Sequence, residues 1–349
     1  MPNTSQAAID AIGGGQPRDW QLRPESHAAT LPPTAGALSR VLLAPGLRAI
    51  MQAFNAADAE AGAAQKRYKR LAKLSAIASF LAVAIASLLL LPRAAIVPPG
   101  LLTAASFTQF GLLAASFLTS IWIGFAKPYD VWMRERAKAE TKRIELFDAV
   151  VAATEPPQGT ELALLPLQLE YVRRYQLDVQ RAYYAGRGRQ HRRAALQGAI
   201  WRVASLAIIG AALVPVVANM RNADWLPSGL AAWFALLPPP VELSQRLFLS
   251  LGLIGGALQG LLAAYALLGQ DERNAARYLD TSRNLEDLAG RPLEEARAAA
   301  AQGQEGPVLA FVALLHQQIS SEHREWMALR AIAPDLSLDK LKALSLPRF

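Results

Sequence analysis

The sequence predicts an all-α membrane protein with four transmembrane helices, arranged as two hairpins whose long cytoplasmic helices form a bundle. Four apolar segments approach the roughly 20 residues that a helix needs to cross a bilayer, and their central turns carry no charge. A buried helix of a soluble protein can imitate one such segment, but it does not explain four with basic flanks. Outside the segments, apolar residues recur at the three- and four-residue spacings of a helical bundle. The four segments are 74–91, 101–126, 199–220 and 247–268.

Lysine and arginine collect on one side of the predicted membrane. They cluster before the first apolar segment at 66–73, after the second at 127–143 and before the third at 187–193. Basic loops are retained in the cytoplasm during insertion, so these ends and both termini are predicted to be cytoplasmic. The connections 92–100 and 221–246 carry few charges and are predicted to lie outside. The predicted location is therefore a cytoplasmic, or inner, membrane with both termini on its cytoplasmic side.

Composition narrows the class of protein further. The chain has 349 residues, of which 52% are hydrophobic and 18% charged, and its formal net charge is +8. A positive charge suits the anionic inner leaflet, so it is weak evidence for nucleic acid as a partner. Because the chain contains no cysteine, disulfides, thiolate metal sites and cysteine nucleophiles are excluded.

The chain divides into a tail and two modules of one plan. Residues 1–37 are rich in Pro, Gly, Ala and Ser and lack an apolar run, which predicts a disordered N-terminal tail. Residues 38–158 form the first two-span module, whose second span is predicted to bend at Pro128 before continuing as a cytoplasmic helix. Residues 159–349 form the second two-span module, which ends in a further cytoplasmic helix.

Two carboxylates occupy positions where a bundle expects apolar residues. Glu140 lies in the helix that follows the second span, and Glu322 lies in the last helix. A buried charge must be paired, and Arg136 and Arg143 are near Glu140 on the same helix. The pattern favours structural ion pairs that fix helix register, and a gating network is the alternative.

The sequence offers few candidate residues for a catalytic, metal or phosphate site. There are four histidines, and the two that share a helix, His316 and His323, are seven residues apart rather than the three or four of a metal-binding pair. Gly186 and Gly188 lack the third glycine and the preceding strand of a phosphate loop. We expect no catalytic residues, no metal and no cofactor.

Small and polar residues inside the spans are candidates for helix packing or for a pore wall. Glycine recurs every four residues in the fourth span, which gives a smooth ridge that another backbone can approach closely. The second span carries a polar stripe, although Ser and Thr often satisfy their own helix backbone. The ridge favours packing between spans of one chain, with a subunit contact or pore wall as the alternative. These residues are Gly252, Gly256, Gly260 and the adjacent Gln259, and Thr108, Gln109, Ser116 and Ser120.

A basic and aromatic run before the third span is the candidate ligand site. Arginine forks match phosphates and tyrosine rings stack on bases, so the run suits a nucleotide or single-stranded oligonucleotide. Retention of basic loops and contact with lipid headgroups explain the arginines equally well. The run contains Arg181, Tyr183, Tyr184, Arg187, Arg189, Arg192 and Arg193.

Four helical segments outside the spans carry residues of a recognisable pattern. These residues are Trp132, Arg136, Ala139, Glu140, Arg143 and Phe147; Tyr171, Gln180, Tyr183 and Tyr184; Ala276, Tyr278, Leu285 and Leu288; and Glu322 and Trp326. The four segments resemble the bacterial SLATT superfamily, which consists of two-transmembrane effector domains of nucleotide-signalling systems. The resemblance reaches from about residue 56 to residue 329 and suggests two such domains in tandem.

The resemblance implies a membrane effector of antiphage defence that forms an oligomeric pore or ion channel. Such an effector would be a homo-oligomer, for which we expect a tetramer, and would be gated by a nucleotide or oligonucleotide that a partner nucleotidyltransferase makes. The alternative is a non-conducting membrane scaffold whose cytoplasmic helices recruit a partner.

Overall fold

The computed structural model describes residues 4–15, 22–89, 99–220 and 242–332, and within these ranges it contains helices, turns and no strand. The predicted all-α class is thus confirmed. In chain order the helices are α1 Thr4–Ile12, α2 Pro24–Thr30, α3 Gly36–Leu42, α4 Pro45–Leu89, α5 Pro99–Ala126, α6 Pro128–Ala152, α7 Leu164–Val172, α8 Val179–Met220, α9 Glu242–Gly269, α10 Asp271–Leu288, α11 Arg291–Ala301 and α12 Glu305–Ile332. A π-helical turn at Arg173–Asp178 joins α7 to α8.

The helices belong to two compact units. We call the first the core unit; it comprises Met1–Asp58, Glu135–Gly188 and Ala276–Phe349. The second, the span unit, comprises Ala59–Arg134 and Arg189–Ala275 and contains the apolar segments.

A conventional hydrophobic core lies within the core unit. Phe147 of α6, Leu167 and Tyr171 of α7 and Leu315 of α12 are completely buried there. The side chain of Gln168 donates hydrogen bonds to the carbonyl oxygens of Val150 and Ala153, at 2.7 and 2.8 Å, which satisfies two carbonyls at the end of α6. Apolar burial and satisfied backbone groups together account for this unit.

The structure corrects the prediction of a disordered tail at residues 1–37. Most of the described residues of this segment are helical, and Ala8 and Ile12 of α1 are buried in the core unit. The imidazole of His27 stacks on the ring of Tyr175 at 3.9 Å between centroids, and its Nδ1 lies 2.9 Å from the hydroxyl of Tyr171. The composition of the segment is rich in Pro, Gly, Ala and Ser, but it also contains apolar residues at helical spacing. Burial of these residues against the core unit stabilises the helices.

The span unit contains the apolar parts of α4, α5, α8 and α9, each long and apolar enough to cross a membrane. The predicted number of membrane-length helices is therefore confirmed. Only 11%, 0%, 6% and 11% of their apolar windows are buried inside the chain. Phe107 of α5, for example, is 73% exposed. Such large exposed apolar surfaces favour association in water, whereas hydrocarbon satisfies them.

The second span of each pair ends at a matched break. Lys127 lies between α5 and α6 with φ +41°, and Gln270 lies between α9 and α10 with φ +46°. Left-handed backbone is uncommon for residues other than glycine. Pro128 disfavours helical backbone at the preceding Lys127, which explains the predicted bend. At the other break, the amide of Asn274 donates to the carbonyl oxygen of Gly269 at 2.9 Å.

Candidate functional site

Serine side chains join the first pair of spans, α4 and α5. The hydroxyl of Ser116 lies 2.6 Å from that of Ser79 and 3.0 Å from that of Ser75, and it also donates to the carbonyl oxygen of Ser75 at 3.1 Å. The Ser120 hydroxyl lies 3.1 Å from that of Ser75. Ser116 and Ser120 of the predicted polar stripe therefore pack against α4.

Glycines make the close approach between α8 and α9 of the second pair. A Cβ atom on Gly255 would lie 2.8 Å from Cγ1 of Ile209, and one on Gly252 would lie 3.0 Å from Cβ of Ala212. A Cβ on Gly256 or Gly260 would meet no described atom within 4 Å. The predicted ridge is therefore displaced: Gly252 lies at the contact with α8, but its partner there is Gly255.

The two pairs place a polar contact at matching positions. Ser116 and Gln259 each lie eleven residues before the left-handed residue that ends their span. Ser116 donates to the carbonyl oxygen of Ser75, as above, and Gln259 donates through Nε2 to that of Arg202 at 3.2 Å. In both cases a side chain of the second span bonds the backbone of the first.

Thr108 and Gln109, the other members of the polar stripe, make no such contact. The Thr108 hydroxyl donates to the carbonyl oxygen of Ala104 in its own helix at 2.8 Å. The Gln109 amide has no hydrogen-bonding partner within the four described ranges, and its residue is partly exposed. An amide in hydrocarbon needs a partner, and the described chain supplies none.

Glu140 lies in a cluster of charged side chains in the core unit. It forms an ion pair with Arg136 one turn earlier, and Arg136 also donates to Asp58 at 3.2 Å. Arg143 is only 8% exposed and lies 5.9 Å from the ring centroid of Phe54. With the Gln180 amide oriented to accept, its oxygen receives a hydrogen bond from Arg143 at 2.7 Å.

Burial makes this cluster sensitive to the charge of Glu140. Burial lowers the pKa of Arg143, and Arg136 lowers it further, while Glu140 acts in the opposite direction. Burial also acts to lower the pKa of Arg136, but Glu140 and weaker neighbours outweigh it and raise that pKa overall. One oxygen of Glu140, Oε2, is buried without a hydrogen-bond partner among the described residues. Among the carboxylates that offset these two guanidinium groups, Glu140 thus acts most strongly on both, and Asp58 adds a weaker effect.

The second predicted carboxylate, Glu322, belongs to α12, but its side chain lies outside the described residues. On the same helix His316 is buried, and its Nδ1 lies 3.1 Å from the carboxylate of Asp148. Burial lowers the pKa of His316, while Asp148 acts to raise it.

The predicted ligand run separates into buried and exposed residues. Tyr184 is buried against Tyr278, with 5.7 Å between ring centroids, so it cannot stack on a base without leaving the core. Tyr183 is partly exposed and has the guanidinium of Arg187 5.6 Å from its ring centroid. Arg181 pairs with Glu286 at 3.2 Å.

The remaining arginines of that run, Arg189, Arg192 and Arg193, belong to the span unit. All three are exposed, and no described carboxylate forms an ion pair with them. Their neighbour His191 is paired, with Nδ1 2.6 Å from the carboxylate of Asp271. These three arginines are thus available to an anion.

No group of three or more acidic or histidine side chains within the described part of the chain is arranged to hold a metal ion.

Sequence reasoning missed several partners of these residues. Ser75 and Ser79 have the same four-residue spacing as Ser116 and Ser120, a signal that was available. Gly255 breaks the four-residue period of the ridge, so that period does not predict its contact with α8. Asp58 and Gln180 are distant from Glu140 in sequence, and no local pattern connects them.

Residues 52–153 match the sequence model of a family described as "Protein of unknown function (DUF4231)". The match covers most of α4 and all of α5 and α6, with the serine contacts, Gln109 and Glu140. Comparison with curated proteins and with solved structures finds no match.

Proposed function

We propose that this protein is a bacterial inner-membrane effector that assembles into a homo-oligomeric pore in antiphage defence. Gln109, a polar side chain on an apolar span, is the observation that carries the proposal. The resemblance of several segments to SLATT domains supplies the biological setting.

The membrane placement is supported by the four long helices and their exposed apolar surfaces. If these surfaces faced water, the chain would associate through them. The distribution of lysine and arginine supports cytoplasmic termini and an outer position for the connections 92–100 and 221–246. The protein is then a four-span membrane protein with the core unit in the cytoplasm.

Gln109 favours a water-filled interior for the assembly. A glutamine amide in hydrocarbon loses its hydrogen bonds to water, and in the described chain nothing replaces them. Oligomerisation around α5 provides replacements, because the amide then faces an aqueous lumen or an equivalent amide of another subunit. Thr108, whose hydroxyl is already satisfied by its own helix, would line the same region.

Gating is proposed to come from a nucleotide or oligonucleotide made by a partner nucleotidyltransferase. The exposed Arg189, Arg192 and Arg193 of the span unit provide cations for its phosphates. Linkage requires that the ligand bind open and closed states with unequal affinity. Substitution of these arginines must therefore shift conductance in the direction of lost ligand.

Ion flux through protein-containing liposomes tests the proposal. Gln109→Leu should reduce flux by about tenfold, which corresponds to about 1.4 kcal/mol on the barrier. Phe107→Leu is the matched control, because Phe107 lies two positions away and thus on the opposite face of α5. Absence of flux from the parent protein under all ligand conditions would support the non-conducting scaffold instead.

Single-cysteine labelling tests the orientation, since the chain has no native cysteine. A cysteine replacing Ser228 should react with an impermeant thiol reagent added outside intact cells. One replacing the exposed Lys138 of the core unit should react only after the cells are opened. Labelling of the cysteine at position 138 from outside would show that the topology is the reverse of the one proposed.

A further inference from the structure

Cations at the start of the first span are held over aromatic rings. The guanidinium of Arg67 lies 5.5 Å from the ring centroid of Trp122, and the ammonium of Lys69 lies 5.5 Å from that of Trp132. The ammonium of Lys73 lies 5.4 Å from the ring centroid of Tyr265. The rings come from the ends of α5 and α9 and the start of α6, so three chain segments meet α4 here.

Residues 66–73 of α4, just before the apolar run of the first span, carry a concentrated positive charge. Five cations lie between Lys66 and Lys73, and α4 contains no acidic residue from Ala61 to Leu89. Cation–π contact leaves the charge of each cation in place. Lys66, Arg70 and Lys73 are exposed and share one face of the helix, because their spacing is four and then three residues. No described carboxylate forms an ion pair with any of these three.

We infer that Lys66, Arg70 and Lys73 form a binding site for the phosphate of an anionic phospholipid headgroup. These three cations, which we call the row, end at Lys73. The apolar run of the first span begins at the next residue, Leu74, so the row lies at headgroup depth. Trp and Tyr beside them are the residues that prefer this depth. One face of each of the three rings is covered by a cation of the protein itself, which argues against base stacking and thus against nucleic acid.

The site has a stated chemistry and strength. Each lysine or arginine near an anionic surface strengthens binding by about fivefold, the equivalent of about 1 kcal/mol. Loss of all three should therefore weaken binding by on the order of 100-fold. The inference rests on the membrane placement given under the proposed function but needs no pore, so a non-conducting protein can still pass its test.

The test uses the full-length protein, purified in detergent and stripped of lipid. Native mass spectrometry measures the binding of added phosphatidylglycerol and, separately, of phosphatidylcholine. The parent should bind phosphatidylglycerol in preference, and the triple variant Lys66→Gln, Arg70→Gln, Lys73→Gln should lose that preference. The control Lys138→Gln, Lys142→Gln, Arg291→Gln removes the same charge from exposed ion-paired cations of the core unit and should behave as the parent.

Two outcomes would overturn the inference. In one, the triple variant keeps the parent's preference for phosphatidylglycerol, or the parent binds both lipids equally. In the other, inorganic phosphate or a single-stranded oligonucleotide displaces phosphatidylglycerol from the parent at equal phosphate concentration, which would assign the row to soluble anions. Circular dichroism of the triple variant confirms that its helices are intact, so that lost binding is not lost folding.

Discussion

The core unit and the span unit differ in which side chains they bury and which they expose. In the core unit large apolar side chains are buried, and charges such as Glu140 and Arg143 are drawn into a cluster. In the span unit apolar side chains are exposed, and small hydroxyls and glycines make the close contacts. This difference is the one expected between a unit surrounded by water and a unit whose apolar helices lie in hydrocarbon, as we propose for the core unit and the span unit. Substitutions should therefore change stability through buried apolar and charged contacts in the core unit, and through close contacts between helices in the span unit.

The largest effect is expected from overfilling a contact between spans. Gly255→Leu places a branched side chain where a Cβ atom alone would approach Ile209 to 2.8 Å. Overpacking should cost about 3 kcal/mol. Gly256→Leu is the control, because its Cβ meets no described atom within 4 Å. Thermal loss of helical circular dichroism in detergent measures the stability of both variants. Equal stability would show that Gly255 does not lie at the contact.

A smaller loss is expected from Glu140→Gln in the core unit. This change leaves Arg136 and Arg143 without their nearest carboxylate. A fully buried pair loses about 3–5 kcal/mol, and partial exposure of Arg136 reduces this to about 2 kcal/mol. Glu145→Gln, which removes an exposed pair with Lys142, should cost well under about 1 kcal/mol. Denaturant unfolding compares them, and an equal cost would show that the Glu140 cluster is solvated.

Removing one hydroxyl between spans should have a modest effect. Ser116→Ala breaks its bonds to Ser75 and Ser79, and hydrogen bonds within membranes average about 0.6 kcal/mol. A double-mutant cycle of Ser116→Ala with Ser79→Ala should return a coupling energy of about this size. The same cycle with Thr108→Ala in place of Ser116→Ala should return none, and coupling there would mean that the contact surface of α5 is misassigned.

The stability of the core unit should depend on pH through His316. Burial lowers the pKa of His316 in the folded core unit, so the unfolded chain binds the proton more readily. Stability should therefore be complete above the ordinary histidine pKa of about 6.5 and should fall as pH falls from there through the lowered folded pKa. His316→Gln should lack this loss between about pH 7.5 and about pH 5.5. A parent that gains stability relative to the variant on acidification would contradict the assignment.

The sequence predicted what depends on local patterns. Four apolar runs predicted the spans, and Pro128 predicted a break, because length, hydropathy and the conformation before proline are local properties. Contacts between distant segments were not predictable. The members of the Glu140 cluster lie on three helices, with Asp58 on α4, Arg136 and Arg143 on α6 and Gln180 on α8. The glycine contact lies at Gly255, where the facing side chain is Ile209 of α8. The N-terminal helices were missed because their order depends on the core they cover.

Cysteine modification during ion flux tests directly whether α5 lines an aqueous pore. Because the chain has no cysteine, Gln109→Cys and Phe107→Cys each carry one thiol, on opposite faces of α5. Both proteins are reconstituted in liposomes, and an impermeant thiol reagent is added while ion flux is recorded. If α5 lines the pore, the reagent should block flux through Gln109→Cys and leave flux through Phe107→Cys unchanged. Block of Phe107→Cys alone, or block of neither in conducting liposomes, would contradict it.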